Sequence, residues 1–196
     1  FLLAIIVVAT TMPVPEHPEG YLYKKAPKST IRLDVYEDLL CSACKAFDPP
    51  FKNFLENYKV NGDPVTDYVE VYLHIFPLPY HHNAFFISRL VPYIWDQTHC
   101  GGAVSAFSSW ALGNQDKWLS GQTADKTENE VLDNICEETS DRFHEHGFTK
   151  EECLEAIQGR KYEMLARTAW KYAAYNRVTG TPTVKLNGVI IDDVPF

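Results

Sequence analysis

Two cysteines separated by two residues, Cys41-Ser42-Ala43-Cys44, stand where an alternating apolar stretch gives way to helical spacing. Before them, Ile31, Leu33 and Val35 alternate with Arg32 and Asp34, the period of a strand. After them, Phe47, Phe51, Phe54, Leu55 and Tyr58 recur at three- and four-residue steps and mark one apolar face of a helix. Thiols at this spacing can close on each other. If a helix begins at Ser42, the first thiol meets unpaired backbone N–H groups and the positive end of the helix dipole, which favour its thiolate. That is the chemistry of disulfide exchange. A half zinc site is the competing reading; it needs two further ligands at short spacing, and Cys100, Cys136 and Cys153 supply no second pair.

The rest of the chain builds around that junction. Tyr21 to Tyr23 predict a short edge strand, and Ala26 to Ser29 a turn. Pro49 and Pro50 are expected to interrupt and kink the first helix. Asn61-Gly62-Asp63-Pro64 reads as a turn, and Val69, Val71, Leu73 and Ile75 alternate as a second strand. Strand, helix and strand in this order imply a parallel crossover, with Cys41 at the C-terminal end of a strand, where ligands gather in such units. Residues 83–178 read as helical, with short loops at Gly101-Gly102 and Gly113 and a division at Gly159. Capping boxes announce two helix starts, Thr127 with Glu130 and Thr149 with Glu152. The last helix is expected to run through Val178 and stop at Gly180. Strand period returns at Thr183 to Leu186, and Asn187-Gly188 is a hairpin signal leading to Val189, Ile190 and Ile191. The fold class is therefore α/β, with a helical block inserted between two halves of a small sheet.

A chain of 196 residues with 45% hydrophobic content buries one core. Its net charge of -8, with no basic run longer than Lys24-Lys25, argues against a nucleic-acid groove or an anionic membrane surface. Phe1 to Ala9 form an uncharged apolar run followed by Pro13, Pro15 and Pro18, so residues 1–12 are expected to be the remnant of a signal peptide, too short to span a bilayer. A buried N-terminal strand is the alternative. Without a starting Met or a basic leader, the sequence reads as beginning partway through its signal.

Cys41-Ser42-Ala43-Cys44 at a helix start after a strand, a helical insert, and then Gly180-Thr181-Pro182-Thr183 leading into a hairpin resemble the DsbA-like branch of the thioredoxin superfamily. Pro49, five residues after the second cysteine, is similar to the helix-kinking proline of thioredoxins, and Phe76-Pro77-Leu78 also resembles this branch. The resemblance implies a thioredoxin-like domain in residues 20–82 and 179–196, with the helical insert at 83–178. It implies a thiol-disulfide oxidoreductase in which Cys41 attacks and Cys44 resolves. Ser42, Ala43, Thr181 and Pro182 would then meet the substrate backbone, with Pro182 in a cis-proline loop facing the thiols. An ordinary trans proline entering a strand is the alternative for Pro182. No cofactor is needed beyond the disulfide itself. The expected partners are protein or peptide thiols and disulfides, with no nucleic acid and no stable membrane span, met by a monomer in the secretory pathway or outside the cell.

The chain departs from that family in ways that carry expectations of their own. Val35 stands where thioredoxins and many relatives carry a buried carboxylate, six residues before the first cysteine. Asp34 and Glu37 are expected to point to the other face or past the strand end, leaving Cys44 without assistance in proton transfer. The Ser42-Ala43 dipeptide lacks the histidine of strongly oxidising members, and Glu37 and Asp38 would raise the Cys41 pKa, so only a modest lowering is expected. His81-His82 either tune the thiols or solvate a loop. Of the remaining cysteines, Cys136 and Cys153 on consecutive helices are the first pair to expect, with Cys100 free or in their place; three buried thiols are the alternative. Relatives continue past Asp192 to Phe196 into a further helix, so the sequence reads as a fragment of reduced stability. Two other function classes stand beside exchange. One is a redox-silent peptide-binding or chaperone module; the other is a kappa-type glutathione transferase, against which the paired thiols argue.

Overall fold

The computed structural model describes residues 19–28 and 31–191. The expected signal remnant at 1–12 and the early end at 192–196 lie outside them. A five-stranded sheet in the order β1-β5-β2-β6-β7 is built from β1 (Tyr21–Lys24), β2 (Ile31–Glu37), β5 (Val69–Ile75), β6 (Thr183–Leu186) and β7 (Val189–Ile191). A small ribbon of β3 (Lys59–Val60) and β4 (Asp63–Pro64) carries the Asn61-Gly62 turn. β2 and β5 pair in parallel from Ile31 opposite Val69 to Glu37 opposite Ile75, joined by helix α1 (Ser42–Asn57), as the alternation predicts.

Six helices follow β5: α2 (Ala84–Ser88), α3 (Leu90–Thr98), α4 (Gly101–Asn114), α5 (Glu128–Phe143), α6 (Lys150–Gln158) and α7 (Arg160–Tyr175). They clothe the sheet as well as one another. α4 packs on β1 and α1, while α7 lies against β5. Period 2 sorts β2 between these layers. Glu37 faces a pocket shared with Phe51 and Lys52 of α1 and Ser105 and Ser108 of α4. The alternate residues turn to α7, where Tyr36 stacks on His74 at 4.3 Å and His74 faces Tyr172 at 5.9 Å between ring centroids. In that layer Asp34 is held by Arg32 at 2.6 Å and by His74 at 2.7 Å. The buried apolar residues of sheet and helices form one continuous core.

Three local expectations need correction. Pro49 and Pro50 do not divide α1, which runs unbroken over 16 residues with Cys44, Phe47, Phe51 and Leu55 buried. The carbonyls of Lys45 and Ala46 lose their usual N–H partners, but the buried stripe continues past the prolines and holds the helix together. Gly113 lies inside α4 and not in a loop, because Phe107, Ala111 and Leu112 keep the helix anchored to the core on its buried side. The last helix ends at Tyr175, not at Val178, and Gly180 is not its cap. Arg177 adopts φ +64°, and Val178 N–H bonds Ala173 O at 3.1 Å while Arg177 N–H bonds Ala174 O at 3.0 Å. This closing pattern usually carries glycine at the position of Arg177, so the composition conceals it.

The remaining punctuation is legible. Thr127 and Glu130 form a reciprocal capping box, and the Thr149 side chain accepts from the N–H of Glu152. A disulfide joins Cys136 of α5 to Cys153 of α6, with their Cα atoms 5.4 Å apart, and Cys100 is an exposed free thiol. At the far end of β6, Asn187 and Gly188 take φ +49° and +82°, as a two-residue hairpin of the mirror-image type requires. Asn187 also brackets Arg32 of β2: its N–H bonds Arg32 O at 2.8 Å, and its Oδ1 accepts the Arg32 N–H at 2.8 Å.

Candidate active site

Cys41 is the N-cap residue of α1, with extended backbone at φ -81° and ψ 123°, so its side chain sits at the open end of the helix. The loop that presents it is tied on every side. Asp38, fully buried, accepts the N–H of Leu40 on one carboxylate oxygen at 2.8 Å, and on the other the N–H of Leu78 at 2.8 Å. His81 Nδ1 lies 2.6 Å from the same oxygen as Leu78. Gln115, 1% exposed, donates to the carbonyls of Leu39 at 3.1 Å and Cys41 at 3.2 Å. Ser42 and Ala43 are exposed, and Cys44 is buried one turn in. On the opposite wall the Thr181–Pro182 bond is cis, and Cys41 Sγ donates to Thr181 O at 3.4 Å.

Here Cys41 departs from the sequence expectation, because its pKa is not modestly but strongly lowered, to about 5. The hydrogen bond from the Cys44 thiol contributes most, working against burial, with Thr181 and the backbone N–H groups of Ala43 and Cys44 adding to it. The hydroxyl of Thr181 is buried and has no hydrogen-bond partner among the described residues. Cys44 moves the opposite way: its bond to Cys41, burial and the charge of Glu37 all raise its pKa. The carboxylates expected to raise the Cys41 pKa are otherwise engaged, since Asp38 turns to backbone amides and Glu37 lies behind Cys44.

That placement corrects the reading of Glu37. It is 2% exposed and points inward on the α1 side of the sheet, while Asp34 does face the other way. Burial, aided by Asp48 and opposed by Lys52, pushes its pKa up to about 8. The signal was available: residue 37 shares a face with Val35 by period 2, one pleat nearer the cysteines. Asp38 could also have been read, as a side chain accepting the amide two residues on, the usual habit of aspartate in turns. Gln115 has no such signal, being 74 residues from the Cys41 carbonyl it holds. Of the histidine pair, His81 is drawn into the loop through Asp38, and His82 is exposed. Among the described residues no three His, Cys, Asp or Glu side chains are grouped to hold a metal ion.

The thioredoxin family model matches residues 24–195, most of the chain. The chain belongs to the thioredoxin family. Solved structures similar to it include DsbA-like proteins. A putative protein-disulfide isomerase from Pseudomonas syringae superposes with a TM-score of 0.69 at 14% identity, with 90% of each chain covered. BdbD from Bacillus subtilis gives 0.63 at 14% identity over 89% of this chain and 84% of its own. The α-DsbA1 of Wolbachia pipientis gives 0.60 at 17% identity over 87% and 75%. No curated protein matches the sequence. At such identities the shared property is the thioredoxin fold with helices between the two parts of its sheet.

Proposed function

We propose that this thioredoxin-family chain is a thiol-disulfide oxidoreductase that exchanges disulfides with protein substrates through Cys41 and Cys44. The observation that carries the reading is the opposed setting of the two thiols, Cys41 held near pKa 5 at the helix end and Cys44 kept protonated behind it. A Cys41 thiolate attacks a substrate disulfide, one substrate sulfur leaves as thiolate and takes a proton, and a mixed disulfide forms. Cys44 then loses its proton, attacks the Cys41 sulfur and releases the second substrate thiolate. The substrate gains two electrons and the pair closes as a disulfide; the reverse sequence oxidises a dithiol. Glu37, raised into the neutral range beside Cys44, is the base we assign to the second step.

Ser42 and Ala43, exposed between the thiols, and Thr181 and Pro182 opposite them line the approach to Cys41, which supports their assignment to the substrate backbone. The Cys136–Cys153 disulfide supports an oxidising compartment, within the secretory pathway or outside the cell. Among the described residues no helix is long and apolar enough to cross a membrane. The deciding experiment is Cys44→Ala expressed in an oxidising compartment. It should trap substrate proteins on Cys41 as adducts that reducing agent releases, and Cys41→Ala should trap none. Absence of adducts from the Cys44 variant would favour a redox-silent binding module.

A further inference from the structure

A second surface adjoins the thiol loop and takes no part in the exchange chemistry. The segment from Pro77 to Pro79, leaving β5, and the outer side of α7 enclose a groove of about 390 Å³. Its ionisable lining is entirely basic: His81, His82, Arg167 and Lys171. This is unexpected on a chain of net charge -8. α7 itself carries Arg160, Lys161, Arg167 and Lys171 against one carboxylate, Glu163, which is spent on Arg167 at 2.5 Å. Lys171 and His82 are exposed and have no ion pair among the described residues. The groove is also aromatic. Trp170 is 37% exposed, yet its indole N–H is fixed on Pro77 O at 3.1 Å and its ring stacks on Phe76 at 5.5 Å between centroids. Phe85 closes the other side.

The groove communicates with the nucleophile through one side chain. Asp38 binds His81 and the Leu78 N–H on the groove side and the Leu40 N–H, next to Cys41, on the other. That network ties the groove lining at Leu78 and His81 to the loop that carries Cys41.

We propose that this groove binds acidic, extended segments of substrate polypeptides, so that carboxylates a few residues from a substrate cysteine select what reaches Cys41. The proposal names a substrate class for the exchange reading and rests on it. Prolines and a fixed Trp face offer low-entropy apolar contact to an extended chain, and Lys171, unpaired among the described residues beside Arg167, supplies charge complementarity to a carboxylate. Such charges act chiefly on selection, since exposed pairs are individually weak.

The test uses peptides whose cysteine is replaced by serine, so that binding is read without chemistry. Fluorescence anisotropy compares a dye-labelled Glu-rich peptide with its Gln counterpart on the intact protein. The Glu peptide should bind about fivefold tighter, in line with one exposed charge contact to Lys171 at the upper end of what such a pair contributes. That margin should fall below about twofold in 0.5 M salt. Lys171→Glu, with folding checked by circular dichroism, should erase the preference. Equal binding of the two peptides, or a preference that survives both salt and Lys171→Glu, overturns the proposal. So does recruitment to phosphatidylserine vesicles without discrimination between the peptides, which would make the groove a membrane contact. Trapping by Cys44→Ala reports the exchange chemistry separately, so a failure of that reading is not confused with a failure of the groove.

Discussion

The two sulfurs differ by one helical turn and a few neighbours, and those neighbours set their acidities apart. Because the Cys41 pKa lies near 5, its alkylation rate in the reduced protein should follow a titration centred about there and level off by neutral pH. Peptide mapping after brief iodoacetamide treatment should find Cys41 labelled and Cys44 intact; the opposite distribution would reverse their roles. Glu37 sits close enough to Cys44 for its charge to raise that thiol. Replacing it by Gln keeps the shape and removes the base, so the mixed disulfide should resolve at least about tenfold more slowly, the lower end of what a positioned base contributes. Quench-flow trapping of the adduct measures this. An unchanged lifetime would reduce Glu37 to a packing residue.

At the scale of elements, period, caps and turns were readable because each rests on neighbours in sequence. The hairpin at Asn187-Gly188 and the box at Thr127 fall where they were expected, and so do β2, α1 and β5, while at Thr149 only half of the expected box forms. What escaped depends on distant partners: Glu37 needs α4 to bury it, and Gln115 reaches the thiol loop from the other end of that helix. The early end of α7 escaped for another reason, because a left-handed Arg177 does in three dimensions what a glycine would have announced. The disulfide between α5 and α6 closes a loop of 17 residues. Replacing Cys136 and Cys153 together by Ser should cost roughly 3 kcal/mol in the chain-entropy model, read from urea unfolding of the otherwise oxidised protein. A cost near zero would place the holding power of this pair in the packing of Ile135 and Ile157, both fully buried beside it.

For the whole molecule, Cys41 and Glu37 make folding stability depend on pH and on redox state. Cys41, lowered from 9.0 to about 5, binds fewer protons folded than unfolded between those values. It stabilises the reduced form increasingly as pH rises through that window, and the gain is lost as pH falls through 5. Glu37, raised from 4.5 to about 8, acts in the opposite sense: its contribution is complete below 4.5 and is lost as pH rises through 8. The oxidised form has no Cys41 thiolate to stabilise. Thermal unfolding of both forms should therefore show the reduced one gaining on the oxidised one from pH 5 to 9. Glu37→Gln should remove a falling contribution between pH 4.5 and 8, which steepens the rise of the reduced form. Parallel curves for the two redox forms would remove the thiolate from the account.

The bracket that Asn187 places around Arg32 acts as a ruler for the site at the opposite end of the strand. With both backbone groups of Arg32 taken, β6 can meet β2 only with Leu186 opposite Leu33 and Thr183 opposite Tyr36. A slip of one residue would turn Val184 from the core and carry Thr181 away from the Cys41 sulfur. Where Cys41 meets its facing wall is thus measured out from a two-residue turn that touches neither.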